Sequence, residues 1–210
     1  MKRNWLALAT GVLMLATVAS SLSSPWWRAE IGLDLITVNA DPFFTSFEVL
    51  GVSYVIPIIF AINIGLTALF VASGVALIIY TIKQEKSYSN HLLSFGWKRP
   101  LHVFIGFVVV LVLLLYATPL VVNAIARDVV APTPIAPLMG ASTIQLPNNI
   151  LNIPAQVSVT MTTTFTHSFF LGAATAALSI AARAYSRRTP YANKPTKIET
   201  LGSTESSETA

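Results

Sequence analysis

The side chains that could do chemistry in this chain are few and far apart. His91, His102 and His167 are its only histidines, and it has no cysteine. A haem pair or metal centre needs its ligands at one depth. His102 opens one long apolar run and His167 lies in the outer half of another, at opposite faces. His91 and His102 could meet, but no acid or thiolate completes a site, so no cofactor or metal is expected. No Asp or Glu falls inside an apolar run, whereas proton relays and ion-coupled carriers place one there. Glu30, Asp34, Asp41 and Glu48 are too dispersed for a calcium loop. No Gly-rich phosphate loop, nucleophile elbow or zinc motif is present. These features predict a protein that is not an enzyme. Polar groups within the apolar runs include Asn63, Asn123, His167 and the hydroxyls of Ser158, Thr160, Thr162, Thr163, Thr164 and Thr166. They read first as interhelical hydrogen-bonding groups, with His167 aided by Thr163 or Thr164. In an oligomer they could instead line a narrow polar path.

The elements that must position these residues are four runs free of Asp, Glu, Lys and Arg: 5–22, 52–82, 101–125 and 155–182. A membrane-spanning helix needs roughly 20 apolar residues. Only 10% of the 210 residues are charged, against about 25% in soluble domains. The expected fold is an all-α membrane protein, a four-transmembrane-helix bundle with a small extracellular β-structure from its two outer loops. One domain, 1–188, carries helices at about 5–22, 55–82, 101–125 and 157–182, with outer loops 23–50 and 126–155. The polar tail, 189–210, is expected to be disordered and cytoplasmic.

Charge orients the bundle. Of thirteen Lys and Arg, only Arg28 and Arg127 fall in the two outer loops; the other eleven share one side. Lys and Arg stay cytoplasmic, which places both termini inside a cell membrane. The lipid bilayer is then the first partner, and the basic pI reflects juxtamembrane charge, so no nucleic-acid partner is expected. Lys2 and Arg3, an apolar core and Ala19-Ser20-Ser21 also fit a cleaved signal peptide. That alternative leaves the orientation of the rest unchanged.

Side-chain size predicts the packing. Ala61, Gly65, Ala68, Ala72 and Ala76 form one stripe of small residues on helix two, and Gly172 and Ala176 sit in the small inner half of helix four. Such stripes let helix backbones approach closely in lipid. Trp5, Trp26, Trp27, Arg28 and Trp97 are expected to anchor the chain at the membrane interfaces. Helix three, rich in Val and Leu, is expected to face lipid broadly, with a kink at Pro119. Alternating Ile31, Leu33 and Leu35 predict one strand across 28–39, and 43–49 reads as a returning strand ahead of the alternative, an aromatic patch lying on the lipid surface. Residues 141–146 and 156–161 are further strand candidates, able to pair with the first loop's strand into an outer sheet.

The segment Ser24-Pro25-Trp26-Trp27-Arg28, followed by Gly32 and Ile36-Thr37, resembles the claudin and peripheral-myelin-protein type of four-span protein. There a Pro-x-Trp-Arg-like segment closes helix one and opens an outside strand. The order of parts agrees along the whole chain, although the motif itself covers about 13 residues. The family's Gly-Leu-Trp segment and its two loop cysteines are missing here, and the first loop is shorter. The resemblance implies four helices under a small outer sheet, with self-assembly or partner binding through the outer loops. Paracellular sealing is not carried over.

The functional expectation is a non-catalytic membrane protein acting in membrane organisation, lateral self-assembly or as an accessory subunit, partnered by copies of itself or other membrane subunits. An oligomeric channel or facilitator, and a subunit of a membrane redox enzyme, are the alternatives.

Overall fold

The computed structural model describes residues 4–32, 34–86, 88–125, 137–146 and 157–188. It contains four helices and one antiparallel sheet: α1 Trp5–Ser21, β1 Trp27–Ile31, β2 Ile36–Ala40, β3 Ser46–Val49, β4 Val52–Tyr54, α2 Pro57–Ile82, α3 Ser89–Ile125, β5 Gly140–Leu146, β6 Val157–Phe165 and α4 His167–Arg188. Three helices, α2, α3 and α4, are long and apolar enough to cross a membrane; α1 is apolar but has 17 residues, or about 26 Å of rise.

The helices form an up-and-down ring in which each packs on its chain neighbours and α4 closes against α1. Local signals set their ends. The side-chain Oδ1 of Asn4 caps α1 by accepting the Ala7 amide at 3.1 Å. Pro57 opens α2, where its missing N–H costs nothing. Inside the ring the helices bury small and hydroxylic residues at three- and four-residue intervals. On α1 these are Ala7, Thr10, Gly11, Met14, Thr17 and Ser21. On α4 they are Ser168, Gly172, Thr175, Ala176, Ser179 and Ala182. In hydrocarbon such helices would have no hydrophobic reason to associate, so close backbone approach and hydrogen bonds would have to hold them together.

Both are present. A Cβ on Gly11 would lie 2.7 Å from the Gly74 carbonyl oxygen, so α1 and α2 cross where neither has a side chain. Three polar contacts join α1 to α4 at successive depths: Asn4 Nδ2 donates to the Ala182 carbonyl at 3.1 Å, the Thr17 and Thr175 hydroxyls meet at 2.9 Å, and Ser20 meets Ser168 at 2.6 Å. Thr17 and Thr175 also lie within bonding distance of the carbonyls four residues back. One hydroxyl proton can therefore serve the pair while the other satisfies its own helix.

Two expected boundaries are corrected. Helix three does not begin after Pro100 but at Ser89. Ser89, Leu93, Gly96, Pro100 and Val103 form one buried stripe, and this packing outweighs the hydrogen bond that proline removes. The helix also runs through Pro119 to Ile125. Helix four does not begin near 157. Residues 157–165 are strand β6, and α4 opens at His167. Alternating Val157, Val159 and Met161 with threonines suits a strand, a choice that their position at the end of an apolar run concealed.

The six strands run in the order β4-β3-β2-β1-β6-β5, all antiparallel, so both outer loops contribute to one sheet. The single strand expected over 28–39 is instead two, β1 and β2, folded back at a turn where Gly32 and Asp34 take positive φ. The return begins at Ser46, later than the expected 43. The loop 126–136 and the tail 189–210 fall outside the described residues.

Candidate functional site

The sheet is fixed to the bundle through Trp26, and this junction positions everything at that end of the bundle. Trp26 is 1% exposed. Its indole N–H donates to the Ser21 hydroxyl at 3.1 Å, at the end of α1. Its ring lies edge-on to Phe43, Phe107 and Phe169 at centroid distances of 5.9, 5.1 and 6.2 Å. Gly172 makes room for it, since a Cβ there would come within 2.5 Å of the indole. Trp27 is 4% exposed and its N–H donates to the Leu138 carbonyl at 2.9 Å, tying β1 to the second outer loop. Trp26 and Trp27 are therefore protein core, not lipid-interface anchors as their place after helix one suggested. The tertiary fold turns both rings inward because α3 and α4 supply an aromatic cage and β6 closes over β1. Trp5, at 63% exposure, remains on the outer surface of its helix.

A second polar anchor lies beneath the loop. Asp41 is 2% exposed. Its Oδ1 accepts the Phe43 and Phe44 amides at 2.7 and 3.3 Å, which builds the turn after β2. Burial raises its pKa to about 6, against the opposing pull of those amides, the Ser21 hydroxyl and the Trp26 amide. Oδ2 itself makes no hydrogen bond. Asn63 of α2 completes the anchor. With its carboxamide oxygen turned to the loop, it accepts the Thr45 amide at 2.7 Å, and its NH2 donates to the Ile59 carbonyl at 3.3 Å. Asn63 therefore holds the first outer loop down on α2.

His167 is exposed at the start of α4, and Thr163, expected to assist it, donates to the Pro137 carbonyl at 2.8 Å. Of the threonines expected on helix four, Thr160, Thr162, Thr163 and Thr164 belong to β6, and Thr166 lies between β6 and α4. Arg28 is exposed on β1 and pairs with Glu30 at 2.6 Å, with Asp34 at the 4.0 Å limit. His91 and His102 are exposed on α3 at the opposite end of the bundle from His167, so the three histidines do not converge.

Two features point away from the molecule. The first is the small-residue stripe of α2. Ala61, Gly65, Ala68 and Ala72 are exposed, a Cβ on Gly65 would touch nothing within 4 Å, and only Ala76 is buried in the bundle. The stripe does not pack the helices of this chain together, as sequence suggested for it. The inward face of α2 is instead Asn63, Phe70, Ser73, Gly74, Leu77, Tyr80 and Thr81. Gly74 and Gly11, which do bring backbones together, had no flanking stripe to mark them. Gly172 and Ala176 are buried as expected of small residues, but Gly172 receives an indole rather than a helix backbone. The second feature is the edge strand β4, whose Val52, Ser53 and Tyr54 are exposed and which leads directly into α2. The sheet ends at β4 on one side and at β5 on the other.

These parts define an apolar helical bundle carrying an antiparallel sheet at one end. No protein-family model matches the chain, and no curated protein matches it.

Proposed function

We propose that this chain is a four-span protein of the cell membrane, with both termini cytoplasmic and its sheet outside, that works without catalysis by lateral association with further copies of itself. The outward stripe of α2 carries the reading. Four small residues in register on an apolar helix, exposed among the described residues, leave a surface on which a second helix can approach closely. The β4 edge at the head of the same helix offers unpaired backbone groups beside it, and an exposed edge strand favours pairing with another chain. A claudin-like role in organising membrane structure is the finer form of this proposal, supported by the sheet formed from both outer loops.

The native chain has no cysteine, so single-cysteine variants report contacts cleanly. Gly65→Cys and Ala68→Cys should form disulfide dimers in native membranes under mild oxidation, whereas Val110→Cys, on the exposed face of α3, should not. Absence of dimers for both α2 variants would remove the proposal.

A further inference from the structure

The end of the bundle opposite the sheet is strongly basic. Lys83, Lys86, Lys98, Arg99, Arg183 and Arg187 lie there, and Glu85 is the one carboxylate of that end among the described residues. Among the described residues the ion pairs all belong to Arg28, at the other end. None of these six cations therefore has a described carboxylate within 4.0 Å.

Within this end, α3 and α4 bring together two donors that lack acceptors. The Arg183 guanidinium carbon lies 5.9 Å from the centroid of the Trp97 ring. Arg183 Nε and Trp97 Nε1 are both covered, and neither makes a hydrogen bond. A covered donor without an acceptor bears its whole desolvation cost, most heavily when charged. Both side chains are only half-buried, so the pair sits at the rim of the bundle, where a rotation of the Arg183 side chain would bring the two covered nitrogens within reach of an outside ligand. The ligand chemistry follows from the donors. A guanidinium with an indole N–H beside it, among basic residues that have no described carboxylate partner, suits an anion with several acceptor oxygens. Arginine matches phosphate with its planar fork of donors. Tryptophan settles at the headgroup level of a bilayer, where basic residues meet anionic lipid.

We propose that Arg183 of α4 and Trp97 of α3 form a binding site for a phosphate group at the basic end of the bundle, supplied by a phospholipid headgroup or by free phosphate. The site depends on the bundle meeting the membrane surface and is independent of self-association.

The test uses the full chain purified in neutral detergent. Binding is measured with phosphatidylcholine alone, with phosphatidylcholine mixed with phosphatidylglycerol, and with inorganic phosphate at constant ionic strength. Trp97→Phe keeps the ring under Arg183 but deletes the donor, Arg183→Gln removes the charge, and Lys86→Gln is the control for general basicity. Preference for the anionic lipid should fall about tenfold in Trp97→Phe and Arg183→Gln, as expected for a lost hydrogen bond to a charged group, and should survive in Lys86→Gln. Saturable binding of inorganic phosphate that responds to the same variants assigns the site to free phosphate; a response confined to phosphatidylglycerol assigns it to lipid. Should Arg183→Gln fail to fold, Trp97→Phe still decides. Wild-type binding in Trp97→Phe, or an equal loss in all three variants, overturns the proposal.

Discussion

Asp41 is a carboxylate enclosed by the joint between sheet and bundle, and its titration should be readable in the stability of the whole protein. Burial holds its pKa at about 6, above the ~3.9 of a free aspartate. The folded state thus binds this proton more tightly than the unfolded chain does. Stability is greatest below about pH 4, declines as pH rises to 6, and carries the full cost of the buried charge at pH 7. Asp41→Asn retains an oxygen for the Phe43 and Phe44 amides without a charge to bury. Relative to wild type, it should be more stable at pH 7 by up to ~3 kcal/mol and indistinguishable near pH 4, with detergent-phase unfolding curves as the measurement. A wild-type advantage that grows with pH would mean that Asp41 is stabilised by its surroundings as an anion. Trp26, immediately beside it, illustrates how much such an assignment depends on context. Its position after an apolar run is what a lipid-interface anchor would show. Its indole instead needs Gly172, Ser21 and three phenylalanines to account for it.

Among the elements, the β3–β4 hairpin holds a strained residue that the sequence does not mark. Its two turn residues, Leu50 and Gly51, have φ of 52° and 77°, the left-handed pair that a two-residue hairpin requires. Glycine adopts this conformation freely, whereas a leucine is held in it at a cost of roughly 1 kcal/mol. Leu50 is exposed, so its side chain recovers little by packing. Leu50→Asn should therefore raise stability by ~0.5–1 kcal/mol without altering the sheet, as followed by thermal unfolding. A destabilised variant would imply that the leucine contacts something outside the chain, such as lipid or a second copy. The same hairpin exposes the limit of periodicity. Leu50-Gly51 lacks the Asn-Gly or Asp-Gly signature, and β4 continues into the apolar α2, so the strand merges with the helix when read along the chain. In β6 the difficulty is reversed, because its alternation is clear while its apolar flanks resemble a membrane span.

For the molecule as a whole, the up-and-down ring sorts charge by end. The sheet end has Arg28 with Glu30, Asp34, Asp41 and Glu48, while the other end has the basic loop between α2 and α3 and the basic close of α4. Basic segments resist translocation, so reporters fused to the two termini should both report the cytoplasm in intact cells. A pair of reporters on opposite faces would mean that one helix does not cross. The short α1 is the element to suspect in that event. Its contacts argue for a full crossing: it meets Gly74 of α2 near its middle and bonds to α4 from Asn4 to Ser20.

Residue order alone established the apolar segments, the split of positive charge, and strand character in both outer loops. Each follows from interaction with solvent or from local backbone preference: hydrocarbon excludes charge and demands internally satisfied backbone, and alternation marks a pleated segment. Tertiary structure alone decided which face of α2 turns inward, that Trp26 is core, that Asn63 holds a loop, and that Trp27 pairs with Phe165 across most of the chain. Lipid and protein interior are equally apolar, so a membrane helix shows no hydrophobic contrast between its two faces. The choice falls to glycine contacts and single hydrogen bonds between segments distant in sequence, which no local pattern records.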